Sequence, residues 1–226
     1  MTQLETLLIF AATLTGSYLI GSIPFGYLIG KFKGIDIRTQ GSGNIGATNV
    51  TRVVGKNWGR LCFACDLLKG AIPVLIASCL LKQLPWGSHT TGGLLVVLTA
   101  FLVVIGHIYP VYLGFKGGKG VSTAAGAILA LNPLAVVCAA AVWGIVFFAS
   151  RYVSLASLCA AVALPASAWA LARFAHISVT RPEMILLLVF ALLTIVRHIS
   201  NIKRLLNGTE SRFVKKPEMK NEVDPE

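Results

Sequence analysis

The chain has 226 residues, of which 55% are hydrophobic and only 13% charged, with a mean hydropathy of +0.75. A water-soluble domain carries roughly a quarter of its residues charged, so a soluble protein is excluded and most of this chain is dissolved in lipid. The net charge of +11 does not point to nucleic acid, because most of the 20 Lys and Arg lie between long apolar runs and not on one wetted surface.

Apolar segments fall at about 4–30, 61–82, 92–113, 119–131, 134–150, 153–174 and 183–200. This spacing predicts an all-α polytopic membrane protein of about seven transmembrane helical segments. The first segment carries one formal charge, Glu5, and no basic n-region, so it reads as a retained span and not a cleaved leader. Gly21 and Pro24 interrupt it and predict a kink, tolerable where a neighbour satisfies the freed carbonyl. Lys31, Lys33 and Arg38 follow it and nothing basic precedes it, which places the N-terminus outside and residues 31–60 in the cytoplasm. The second span exits and the third returns; Pro85, Trp86, Gly87, Ser88 and His89 between them read as a short external loop.

Residues 119–150 decide the remaining topology. A hairpin broken at Asn132-Pro133 keeps the basic stretch from Arg197 to Lys220 inside, and so obeys the charge rule. Its arms are short for a full crossing, which implies tilt, a re-entrant path or burial against neighbours. Seven segments with the N-terminus out and the C-terminus in, or five full spans plus a re-entrant pair, share this parity. Residues 1–208 read as one integral membrane domain, and 209–226, with Pro217 and Pro225, as a polar, solvated cytoplasmic tail.

With that topology three polar clusters meet on one side. In the run from Gly41 to Lys56, glycines let backbone amides approach a ligand, Ser42, Asn44, Thr48 and Asn49 supply hydroxyl and amide groups, and Arg52 supplies a phosphate-matched fork. An anion suits these groups better than a metal. In the second cluster, His107 ends a span, and Lys116, Gly117, Gly118, Lys119 and Gly120 combine ammonium donors with free amides at a helix start, as phosphate requires. Leu113 and Gly120 stand where a Walker A loop needs glycine and Ser or Thr, so nucleotide hydrolysis is not supported. In the third, a continuing helix would put Arg197, Asn201 and Arg204 on one stripe with His198 beside it. Asp66 and Lys69, three apart within the second span, are placed to pair on one helix face in a structural or site-supporting role. Five dispersed cysteines, with one C-x-x-C at Cys62 and Cys65, argue against a disulfide framework.

The runs GSGNIGATNVTRVVGK, GHIYPVYLGFKGGKGVSTAAG and RHISNIKRLLNGTE, with DLLKGAIPV around Asp66, resemble the motifs of the bacterial PlsY family of acyl-phosphate:glycerol-3-phosphate acyltransferases, in the family's order. The resemblance implies a seven-helix fold in the bacterial inner membrane with its motifs facing the cytoplasm. It implies acyl transfer from acyl phosphate to the first hydroxyl of glycerol 3-phosphate, without acyl-CoA or acyl carrier protein as direct donor. By that resemblance Ser42, Arg52, Lys119, His198 and Asn201 are the expected catalytic residues. Asn44, Asn49, His107, Lys116, Gly117, Gly118, Gly120 and Arg204 are expected to bind substrate. No metal or cofactor is expected; the expected partners are the two substrates, membrane lipid and a peripheral enzyme that makes acyl phosphate.

Such chemistry needs two anions held together, their repulsion offset and the leaving phosphate stabilised, which are positioning and electrostatic tasks. The base is either His198 or a substrate phosphate oxygen. A transporter of a phosphorylated metabolite is the main alternative, but it predicts internal repeats and polar groups near the midplane. A protein that only binds anionic lipid would need no more than basic charge beside the membrane.

Overall fold

Backbone in lipid must satisfy its own hydrogen bonds, and each of the seven apolar segments is helical in the structure, a computed structural model that describes residues 2–83 and 91–213. The expected loop from Pro85 to His89 and residues 214–226 lie outside the described residues. The helices are α1 (Gln3–Ser22), α2 (Phe25–Phe32), α3 (Ala47–Val53), α4 (Lys56–Gln83), α5 (Thr91–Ile108), α6 (Val121–Leu131), α7 (Pro133–Ser150), α8 (Val153–Phe174), α9 (Arg181–Arg197) and α10 (Ile199–Leu206). Among the described residues there is no strand. Five helical stretches among the described residues are long and apolar enough to cross a bilayer, six if the bent pair α9–α10 is one span. The chain is thus an all-helical, multi-pass membrane protein.

Local chemistry sets the breaks. Pro24 separates α1 from α2 at the expected kink, and Lys69 of α4 donates to the carbonyl of Ile23 at 2.7 Å. Between α6 and α7, Asn132 accepts from the amide of Ala135 at 3.1 Å and Pro133 takes the first helical position, the expected hairpin break. With 11 residues, α6 rises only about 16 Å, half a hydrocarbon core, and is buried against α4. The last helix does not run on as one stripe. His198 Nδ1 lies 2.8 Å from the carbonyl of Thr194, while its backbone amide turns to Ile195, and α10 leaves at 56° to α9. A side chain inserted into the helical ladder accounts for the bend.

Helices approach closely where side chains are missing. A Cβ on Gly70 of α4 would lie 2.1 Å from the Thr123 carbonyl, and one on Gly126 of α6 would lie 1.9 Å from that of Leu67. With little hydrophobic drive between helices in lipid, such small-residue contacts supply the packing. The core joins Val74, Ala100, Val103, Ile128, Leu187 and Phe190, whereas Ile145, Phe148, Trp169 and Leu192 face outward. A second cluster of Ile29, Ile37, Ile45 and Val50 seats the segment between α2 and α4 at one end of the bundle.

Candidate active site

The 36–55 segment is held from within by Asn49. Its Nδ2 donates to the carbonyls of Ile37 at 2.9 Å and Gln40 at 3.1 Å, and its Oδ1 accepts from the amide of Ser42 at 2.9 Å. Asn49, expected among the ligand-binding groups, therefore has its amide committed to shaping the loop, and is 1% exposed. Asn44 likewise accepts from the amide of Gly46 at 2.8 Å. The result presents the Ser42 side chain, Thr48 and Arg52 along one wall of a cavity. Arg52 also donates to the carbonyl of Ser211 at 3.2 Å and lies over the Phe213 ring.

The opposite wall is the loop before α6. Gly120 has φ +80, a left-handed conformation that suits glycine, and it starts α6 with the first-turn residues Val121 and Ser122 at the cavity. Lys119 donates through Nζ to Asn201 Oδ1. Asn201 Nδ2 donates to Glu210 Oε1 at 2.7 Å; Ser154 donates to the same oxygen at 2.7 Å and Arg204 to Oε2 at 2.7 Å. Burial works against the Glu210 carboxylate, but these donors hold its pKa below the usual value. Burial lowers the Lys119 pKa to about 8; Glu210 opposes the shift, while Arg204, Arg52 and Arg197 add to it. Arg52 is lowered as well, first by burial.

At the bend, the Thr194 carbonyl can only accept, so Nδ1 of His198 carries the proton and Nε2 keeps a lone pair. His198 is 3% exposed and lines the cavity.

Ser42, Asn44, Asn49, Arg52, His107, Lys119, Gly120, His198 and Asn201 all line this one cavity, which holds about 160 Å³ of open space. Lys116 and Gly117 face a second, more open cavity with Arg38 and Arg197. Gly118 packs on the His107 ring, and Arg204 reaches the cavity only through Glu210. Arg197 does not join Asn201: its Nη2 donates to the carbonyls of Gly117 at 3.3 Å and Gly118 at 3.1 Å. Sequence reading missed Phe63, Trp143, Ser154, Ser157 and Glu210. Glu210 was detectable as a lone acid after a basic stretch, although residues 209–213, assigned to a solvated tail, in fact fold back: Glu210 is 8% exposed and the amide of Phe213 donates to Arg151. The four others sit in apolar helices with no local mark.

The model of the family described as "Glycerol-3-phosphate acyltransferase" matches residues 11–208. The chain belongs to this family. A glycerol-3-phosphate acyltransferase of Syntrophotalea carbinolica is 48% identical over 206 residues, covering 90% of this chain and 97% of the relative. One from Aquifex aeolicus is 45% identical, covering 87% and 95%. A crystal structure of PlsY, an integral membrane glycerol 3-phosphate acyltransferase, in its glycerol 3-phosphate form, is similar with a TM-score of 0.80 and 42% identity over 91% of this chain and 96% of that one. Its lysophosphatidic acid form gives 0.78 and 41%, covering 91% and 95%.

In this family member the cavity has two characters. Its lining includes the cations Arg52 and Lys119 and the first turn of α6, together with the apolar Phe63, Val121, Trp143 and Val153.

Proposed function

We propose that the protein moves a fatty acyl group from acyl phosphate to the sn-1 hydroxyl of glycerol 3-phosphate, giving lysophosphatidic acid and inorganic phosphate. The observation that carries this reading is the closure of three separated polar segments on one cavity, lined by both cations and apolar side chains, in a chain of this family.

In the proposed reaction the glycerol hydroxyl attacks the acyl carbonyl carbon, the bond from that carbon to the phosphate oxygen breaks, and phosphate leaves with the bonding pair. The hydroxyl proton passes to Nε2 of His198 or to a phosphate oxygen. Lys119 and the first amides of α6 hold one phosphate and Arg52 the other, offsetting repulsion between two anions. Ser42 and Asn201 orient the hydroxyl and the carbonyl. Asn44, His107, Gly118, Gly120 and Asn49 shape this wall, Lys116 and Gly117 guide the anion at the second cavity, and Arg204 acts by fixing Glu210. The scheme uses no metal or cofactor.

The reading also includes the setting. Seven helical segments cross or enter the bacterial inner membrane with the N-terminus out and the C-terminus in, so the cavity opens to the cytoplasm, where a peripheral enzyme supplies acyl phosphate. The integral domain runs through Phe213 on this reading, and a polar cytoplasmic tail follows it.

Purified protein given acyl phosphate and glycerol 3-phosphate should release phosphate only when both are present, and acyl-CoA should not replace acyl phosphate. Ester formation from acyl-CoA alone, or uptake of glycerol 3-phosphate into proteoliposomes without ester, would overturn the reading. An acyl group trapped on Ser42 would replace direct transfer with a covalent route.

A further inference from the structure

Asp66 and Lys69 lie inside α4, away from the cavity, with side chains 2% and 3% exposed and 2.7 Å apart. Desolvating two charges costs several kcal/mol each, and apolar residues of similar size would pack as well. What distinguishes this pair is that each charge has a second partner on another helix. Lys69 holds the Ile23 carbonyl at the break in the first span. Asp66 Oδ1 is 3.6 Å from Nδ1 of His107 on α5, and that nitrogen also meets Thr123 Oγ1 of α6 at 3.2 Å.

His107 in turn is the wall behind the Lys119 loop. Its carbonyl accepts the amide of Gly118 at 3.1 Å, and its ring lies so close that a Cβ on Gly118 would be 2.1 Å from Nε2. A loop with glycine at 117, 118 and 120 has little stiffness of its own, so its course depends on what it leans against. A carboxylate on the Nδ1 side favours a proton on that nitrogen through its charge, and Thr123 Oγ1 at 3.2 Å holds the ring in place beside it.

We propose that Asp66 and Lys69 are positioning residues, which act through His107 to fix the 117–120 loop and thereby hold the Lys119 ammonium in place at the cavity. This rests on the proposed reaction for its effect on rate, but not for its effect on Lys119 itself. Lys119 faces Asn201, Glu210, Arg204, Arg52, Arg197 and His198. A loosened loop lets water reach it, and its titration returns towards that of an ordinary lysine.

The test compares full-length protein in detergent with Asp66→Asn, an Asp66→Asn/Lys69→Met double variant that removes both charges, and Thr123→Val. Competitive acetylation with acetic anhydride across pH, read by mass spectrometry at Lys119, should give a midpoint near 8 in the parent. It should rise by about one unit or more in the variants that retain the parent's thermal transition. The kcat/KM for glycerol 3-phosphate should fall about tenfold to a hundredfold, as a small misplacement of a binding group does. If Asp66→Asn does not fold, the double variant, which leaves no uncompensated charge, decides. Folded variants with an unmoved acetylation midpoint overturn the proposal. A parent without acyl transfer refutes the proposed reaction instead, and the acetylation profile still decides the positioning role.

Discussion

Lys119 donates to the side chain of Asn201, 82 residues further along the chain, and Asn201 passes its own donor to Glu210. The amide is thus the link between a cation and an anion that both line the cavity, and it separates their charges by one side chain. Asn201→Ala should cut kcat/KM about a hundredfold, the scale of losing one preorganised group, because Lys119 loses its acceptor and Glu210 a donor. Asn201→Asp should do worse and also lower the thermal transition, since it sets a second carboxylate beside Glu210. Steady-state rates and thermal unfolding of the two variants, compared side by side, check the order.

The burial of Lys119 gives the reaction an alkaline limit. In the proposed reaction the ammonium is the form that binds phosphate, so kcat/KM should fall as pH rises through about 8, where the free protein's Lys119 loses its proton. A bound phosphate favours the charged form, so the limb in kcat should lie higher than that in kcat/KM. Lys119→Arg should abolish the limb, because guanidinium stays charged, yet activity should be lower at every pH because a flat fork does not replace a compact ammonium. A Lys119→Arg profile that keeps the same limb would assign it to another group.

The two kinds of residue in the cavity differ in how they could be read. Lys119 and His198 are polar groups at the ends of apolar runs, where lipid makes such exceptions visible, and Ser42 and Arg52 stand in a polar stretch between two runs. The break at Asn132 was legible because Asn followed by Pro is local helix-end chemistry. The bend at His198 was not, since it arises from one imidazole taking the Thr194 carbonyl, a choice made in three dimensions. Trp143, Ser154 and Ser157 were equally hidden: they enter the cavity because α7 packs on α8, and nothing in their own stretches sets them apart. Asn49 was legible as a functional-looking amide but not in its use, because only the folded loop shows three backbone partners around it.

Residues 209–213 give a sharper test of where the working domain ends. A chain stopped after Gly208 loses Glu210, and with it the acceptor for Ser154, Asn201 and Arg204, as well as the Ser211 carbonyl and Phe213 ring that hold Arg52. The two buried donors left without their acceptor, on Ser154 and Asn201, cost about 1–3 kcal/mol each, so this truncation should lose most activity and unfold at lower temperature. A chain stopped after Phe213 keeps every contact just named and should retain activity. Equal activity from both would show that the Glu210 network does not support the cavity.

The proposed orientation of the bundle rests on charge and is checked by chemistry. Lys31, Lys33 and Arg38 precede the first motif, Lys56 ends it and Arg60 follows it, Lys203 and Arg204 lie within the third and Arg212 just after it, whereas Thr2 to Phe32 has no cation before Lys31. Basic residues beside spans resist translocation, so both groups should lie inside and Thr2 outside. In a version with its five cysteines replaced, a membrane-impermeant maleimide added to intact cells should modify Thr2→Cys but neither Lys33→Cys nor Arg212→Cys until the membrane is permeabilised. Modification of Lys33→Cys or Arg212→Cys in intact cells would place at least one motif on the outer face and overturn the proposed orientation.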